Sequence, residues 1–105
     1  MKTKTIFVDI DETICFYENN IPLDGKKDYN TAIPDYANIA KINKLYEQGH
    51  TVVYWTARGS RSGIDWYDLT KKQLDSWGAE YHKLRCDKPY YDVFVEDRSK
   101  RIEEI

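Results

Sequence analysis

Apolar positions along the chain follow two rhythms. The run TIFVDI at 5–10 is continuously apolar and β-branched up to Asp9, as a strand buried on both faces should be. TVVYW at 51–55 and DVFV at 92–95 read the same way, and AEYHKL at 79–84 reads as a shorter strand. Between these runs the period becomes helical. In DYANIAKINKLYEQG, Asp35 follows Pro34 in N-cap position, Ile39, Ile42, Leu45 and Tyr46 recur at helical spacing, and Gly49 stands where a helix stops. A second helix is predicted from about Ile64 to Trp77, with Trp66, Leu69, Thr70, Gln73, Leu74 and Trp77 facing inward and Gly78 ending it. The stretch 17–34 is polar and punctuated by Asn, Gly and Pro, so it reads as loop with room for a short hairpin around LDGK.

The order β, loop, α, β, α, short β, β predicts an α/β fold with right-handed crossovers and a small parallel sheet. In such sheets ligands bind beyond the carboxyl ends of the strands. Polar residues cluster at that edge: Asp9, Asp11 and Thr13 after the first strand, Thr56, Ala57 and Arg58 after the second, Glu96 and Asp97 after the last, with Lys88 before it. A chain of 105 residues suits one domain, 1–105, with one modest core. Its net charge of −2, with both signs interspersed, supplies no basic face of the kind duplex binding needs. Nucleic acid is therefore not the expected partner. Cys15 and Cys86 lie far apart and outside any CxxC pair, which fits a reduced, cytoplasmic protein. MKTKT leads straight into a strand, and no apolar run has membrane-spanning length, so no membrane association is expected.

Asp9 and Asp11 are two apart, so near a strand end they can point to the same side. If Glu96 and Asp97 end a neighbouring strand, four carboxyl groups converge. Two like charges about 4 Å apart repel by roughly 4 kcal/mol at an effective dielectric near 20, and one lysine and one arginine do not offset several such pairs. A divalent cation does, and an open set of hard oxygen ligands suits Mg²⁺, which often shares a phosphate. Taken singly each residue has a plainer reading. A lone acid after a strand is ordinarily a turn former, Thr56 a loop cap, Arg58 a solvated charge and Lys88 a surface residue. A calcium loop of the EF-hand type is ruled out, since Ile14 stands where glycine is needed and Asn20 where glutamate is.

The joint pattern resembles the haloacid dehalogenase superfamily. DIDET is similar to its first motif, hhhhDxDxT; VVYWT to the second, a strand ending in Thr or Ser; Lys88 in CDKPYYD to the third; and VFVED to the fourth, a strand ending in paired acids. The resemblance implies a three-layer Rossmann-like fold. It implies Asp9 as a nucleophile that forms an aspartyl-phosphate, and Asp11 as general acid and base. Thr56 and the N–H groups of Ile10 and Ala57 would hold the phosphoryl oxygens, and Lys88 would neutralise developing charge. Mg²⁺ would be bound by Asp9, the Asp11 carbonyl and Asp97, supported by Glu96, Thr13 and Arg58. Glu96 departs from the commoner Asp-Asp pair, so which acid ligates stays open. Dehalogenase relatives lack the second aspartate, and Asp11 thus argues for phosphoryl chemistry.

Larger relatives carry a cap domain after the first motif or between the second and third. Here those intervals hold only 14–34 and 59–87, which predicts no cap and a short flap over 14–34 bearing Tyr17, Tyr29, Lys26 and Lys27. By default such loop residues are solvated. An open site suits a substrate that covers itself, or a homo-oligomer in which a neighbour forms the lid. WTARG followed by a Trp-bearing helix resembles small capless proteins of capsule polysaccharide biosynthesis, which implies a phosphorylated sugar or a nucleotide-linked sugar. Trp55, Trp66 and Trp77 could stack on such a ligand, although helical spacing makes Trp66 and Trp77 core. The competing readings are a non-catalytic phosphate- or nucleotide-binding module, a nucleic-acid end phosphatase, and a receiver-like signalling domain. The last ranks low because the DxD pair is on the first strand.

Overall fold

A parallel sheet needs its strands linked by crossovers that lie against one of its faces, and that requirement orders the chain. The computed structural model describes residues 2–18 and 28–105, so the predicted hairpin around LDGK lies outside the described residues. In chain order the elements are β1 (Thr5–Val8), β2 (Cys15–Phe16), β3 (Ile33–Pro34), α1 (Tyr36–Glu47), β4 (Thr51–Trp55), α2 (Tyr67–Ser76) and β5 (Lys83–Arg85). Single 3-10 turns lie at Tyr29–Thr31 and Ile102–Glu104. The main sheet has the order β1-β4-β5, all parallel, with Thr5 opposite Thr51 and Val53 opposite Lys83. β2 and β3 pair antiparallel, with Cys15 opposite Pro34 and Phe16 opposite Ile33.

Both crossovers step the same way across the sheet, which puts both helices on one face. Val8, Val52, Tyr54 and Leu84 alternate onto that face and pack with Ile39 and Ile42 of α1 and Leu74 of α2. The caps of α1 fall where its sequence puts them. Asp35 accepts the Asn38 N–H at 3.0 Å, and Gly49 takes φ 95°, where a side chain would be strained. α2 starts later than predicted because the Asp65 carboxylate takes the Tyr67 N–H at 2.9 Å, which spends the preceding residues on a turn.

The opposite face of the sheet carries Phe7 and Trp55, whose rings meet edge to face at 5.4 Å under the Arg85 guanidinium. Phe7 is 47% exposed, and no helix covers this face among the described residues. Among the described residues both helices pack on one face of the sheet.

The second departure concerns DVFV. Residues 92–95 form no strand, and Val93 and Val95 are 76% and 92% exposed. Both flanks of this segment are fastened. At one end the Lys88 N–H donates to the Thr56 carbonyl at 3.2 Å, Ser60 Oγ donates to the Lys88 carbonyl at 2.5 Å, and Arg61 covers the Tyr90 ring. At the other, Ile102 packs on the core and its carbonyl accepts Lys41 Nζ at 3.3 Å. Held at both ends, the stretch between bows into solvent. No helix among the described residues is long and apolar enough to cross a membrane.

Tyr54 is fully buried, and its hydroxyl finds no partner among the described residues. Tyr54→Phe removes a desolvated group without opening a cavity, so urea unfolding should show stability unchanged or raised by up to about 1 kcal/mol. Ile42→Ala, on the same core, should cost about 2–5 kcal/mol.

Candidate functional site

β1 delivers its two acids through a tight turn. The Thr13 and Ile14 N–H groups donate to the Ile10 carbonyl at 3.2 and 3.0 Å, and the Glu12 N–H to the Cys15 carbonyl at 2.9 Å. Glu12 takes φ 65°, a left-handed conformation that costs a residue with a side chain about 1 kcal/mol or more. Two bonds fasten the turn near α1: Asp35 N–H to the Ile14 carbonyl at 2.8 Å, and Asn38 Nδ2 to the Thr13 carbonyl at 2.9 Å. Through these bonds Thr13 supports the turn. The turn sends Asp9 and Asp11 to different partners.

Asp11 meets Arg58. The guanidinium donates from Nε to Oδ2 at 3.0 Å and from Nη2 to Oδ1 at 2.8 Å, a two-pronged grip from a side chain with no solvent exposure. Its Nη1 donates to Thr70 Oγ1 at 3.1 Å and to Gln73 Oε1 at 2.6 Å on α2, and the Tyr29 ring lies against it at 4.7 Å. Tyr17 and Cys15 close the cluster, with the Tyr17 hydroxyl donating to Asp11 Oδ1 at 2.5 Å and Cys15 Sγ at 3.4 Å. Burial raises the Asp11 carboxyl pKa, but the Arg58 hydrogen bonds and charge, with those of Tyr17 and Cys15, outweigh it and hold the group below the usual carboxylate range. Burial beside this ionised carboxylate pushes the Cys15 thiol up to about 12, so it stays protonated. Arg58 is therefore a buried hub and not a solvated charge.

Asp9 faces Lys88, whose Nζ lies 3.6 Å from Oδ1, and its side chain is 42% exposed. Burial raises its pKa, with Lys88 and the Ile10 N–H opposing. The Lys88 ammonium also lies over the Trp55 and Tyr91 rings, at 5.5 and 5.4 Å. Thr56 is buried, its Oγ1 accepts the Arg58 N–H at 3.1 Å, and its N–H donates to the Arg85 carbonyl at 2.9 Å. It thus caps the turn that follows β4. That turn passes through Ala57 and relies on Gly59, where a Cβ would run into the Ile64 carbonyl.

The structure thus brings together Asp9, Ile10, Asp11, Thr56, Ala57, Arg58 and Lys88. It does not bring Glu96 and Asp97 to them. Both lie on the exposed stretch after residue 95, and the Glu96 carboxylate accepts the nearby Arg98 N–H at 2.8 Å. Of the four acids expected to converge, Asp9 and Asp11 stand here, each with its own cation. Among the described residues no three His, Cys, Asp or Glu side chains are grouped to hold a metal ion. Lys26 and Lys27 of the expected flap lie outside the described residues. Tyr17 and Tyr29, by default solvated, belong to the Arg58 cluster instead. Thr70 and Gln73 carried the available signal: polar side chains on the inward stripe of a helix need a buried partner. Of the tryptophans, Trp77 packs on the core and Trp66 meets Tyr29 at 5.2 Å, which leaves Trp55 beside Lys88.

The chain matches no protein-family model and no curated protein. It is similar to one solved structure, a structural-genomics target from Vibrio cholerae, at 22% identity and a TM-score of 0.79, covering 98% of this chain and 86% of that one. The likeness shows a shared fold.

The two acids predict opposite effects on stability. Asp11 is depressed, so its contribution is present above the ordinary carboxylate pKa of about 4 and is lost as pH falls through its folded value. Asp9 is raised, so its contribution is present at low pH and is lost as pH rises. In urea unfolding at pH 7, Asp9→Asn should be at least as stable as the parent and Asp11→Asn less stable. Arg58→Met, which strands the Asp11 carboxylate, should cost about 3–5 kcal/mol.

Proposed function

We propose that the chain is a phosphomonoester hydrolase in which Asp9 is the nucleophile, as its resemblance to haloacid dehalogenase-type phosphatases implies. One observation supports this most: at the end of a strand of the main sheet, a half-exposed carboxylate stands 3.6 Å from an ammonium that is itself largely enclosed. An Asp9 oxygen attacks phosphorus, the bond to the leaving alcohol oxygen breaks, and that oxygen takes a proton from Asp11, whose carboxyl has left Arg58 and been protonated from solvent. Water then attacks the aspartyl-phosphate, releasing inorganic phosphate and restoring the carboxylate. Lys88 faces the phosphoryl oxygens, where positive charge contributes more as negative charge develops. The N–H groups of Ile10 and Ala57 and the hydroxyl hydrogen of Thr56 supply further donors. Mg²⁺ belongs to this proposal as the expected cofactor. Asp9, the Asp11 carbonyl and Asp97 are the groups the resemblance assigns to it, and it would offset negative charge on the phosphoryl group; the steps above use the chain's own groups.

The substrate class is a small phosphomonoester such as a sugar phosphate, or a nucleotide-linked sugar only where it carries a phosphomonoester, taken in a cytoplasmic setting. The Trp55 and Tyr91 rings that flank Lys88 suit the organic part of such an ester.

A second reading rests on the Arg58 grip. Held ionised, Asp11 carries no proton, so it must leave Arg58 and be protonated from solvent before it can protonate the leaving oxygen. If it does not leave, the chain binds phosphate or nucleotide without turnover.

A screen of sugar phosphates and nucleotides, with and without Mg²⁺, separates the two. Hydrolysis that falls at least about 10³-fold in Asp9→Asn and about 10²-fold in Lys88→Ala, with both variants folded, supports the phosphatase. A ligand-induced thermal shift with no hydrolysis of any ester supports the binding module.

A further inference from the structure

Among the described residues Arg58 is the only Lys, Arg, Asp or Glu that is buried, and the phosphatase reading asks its carboxylate partner to leave it. Its side chain has no solvent exposure. Once Asp11 swings away, the guanidinium must be held by whatever else it touches. Those contacts lie at the end that Asp11 does not use. Nη1 donates to Gln73 Oε1 at 2.6 Å, the shortest of the guanidinium's hydrogen bonds among the described residues, and to Thr70 Oγ1 at 3.1 Å. The Tyr29 ring lies against the guanidinium at 4.7 Å, and a desolvated cation gains most from an aromatic face.

Gln73 is itself fixed from both ends. While Oε1 faces Arg58, Nε2 donates to the Tyr29 carbonyl at 2.7 Å. Turned over, the amide would set its N–H groups against Nη1 and its oxygen against that carbonyl, so only one orientation serves both neighbours. Tyr29 is steadied in turn by Trp66, whose ring meets it edge to face at 5.2 Å. We propose that Gln73 is a positioning residue for protonation of the leaving oxygen: it holds Arg58 against α2 while Asp11 departs. This rests on the phosphatase reading, which requires that departure.

Without the Gln73 oxygen a buried N–H loses an acceptor, and the cation depends more heavily on the carboxylate. Arg58 then follows Asp11 or retains it, and the leaving oxygen receives its proton more slowly. The effect falls on one step. Gln73 takes no part in the attack by Asp9 or in the hold of Lys88 on the phosphoryl oxygens. Esters whose leaving group departs without a proton are therefore spared.

The test has one arm without turnover and one with it. In the first, exchange of the Arg58 side-chain N–H groups with water is followed by nuclear magnetic resonance. Protection should persist in Asp11→Asn and drop at least about tenfold when Gln73→Met is added. An unprotected Arg58 in Asp11→Asn, or protection that Gln73→Met leaves unchanged, overturns the proposal whatever the chain hydrolyses. In the second arm, kcat/KM, which reports transfer to Asp9, is compared between two kinds of ester. The phenolate of p-nitrophenyl phosphate leaves without a proton, whereas the alkoxide of an alkyl monoester from the screen, such as glucose 6-phosphate, needs one. Gln73→Met should lower kcat/KM at least about tenfold for the alkyl esters and less than about threefold for p-nitrophenyl phosphate. Gln73→Glu restores an acceptor for Nη1 and should bring the alkyl esters back to within about threefold of the parent. Equal loss on both kinds of ester, or no recovery in Gln73→Glu, overturns the role of Gln73 and leaves the phosphatase standing. So does a parent that hydrolyses the aryl ester but no alkyl ester. A parent that hydrolyses no ester at all overturns the phosphatase reading and this role together.

Discussion

The grip of Arg58 on Asp11 is the interaction on which the rest of the site depends. A guanidinium removed from water is costly unless nearly all of its donors are used. Here they reach both Asp11 oxygens, Thr70, Gln73 and, at longer range, Tyr17 and Cys15. Those partners come from the turn after β1, from α2 and from β2 with Tyr17 just beyond it, while Arg58 itself follows β4. The pair therefore fixes how four separate pieces of chain meet. The enclosed carboxylate holds the cation in place, and the cation keeps the carboxylate charged.

From this follows a division of labour between two aspartates only two residues apart. Asp11 is enclosed and held ionised, whereas Asp9 remains half exposed and has its pKa pushed up by partial burial. Environments that drive two neighbouring carboxyl groups in opposite directions are a common basis for assigning them different chemical tasks. Under the proposed reading the open group attacks, and the closed one organises the site until it is released. Lys88 serves the open group and is positioned by backbone: its N–H bonds the end of β4 through Thr56, and its carbonyl accepts Ser60 Oγ. Trp55 and Tyr91 flank its ammonium, so its location depends on packing as well as charge.

Where local pattern and tertiary context agree, the fold could be read from residues alone. β4 occupies the predicted 51–55, because a continuous β-branched and aromatic run suits the central strand of a parallel sheet. The limits of α1 follow from Asp35 and Gly49. DVFV failed for the complementary reason. Residues 92–95 form no strand, and Val93 and Val95 are exposed, so an apolar run by itself did not settle the element. Among the site residues, Asp9 and Lys88 pair as their places at the sheet edge suggest. The burial of Arg58 was not legible, since a lone arginine in a loop is ordinarily solvated. Only the polar positions Thr70 and Gln73 on the inner stripe of α2 hinted at a buried charge.

The central claim is that Asp9 becomes covalently phosphorylated. The direct measurement is peptide mass mapping of the chain after rapid acid quench during turnover of a hydrolysed monoester. The account predicts a phosphoryl group on the peptide containing Asp9, absent in Asp9→Asn. Sustained hydrolysis with no phosphoryl group on that peptide, or with the group on another residue, would contradict it.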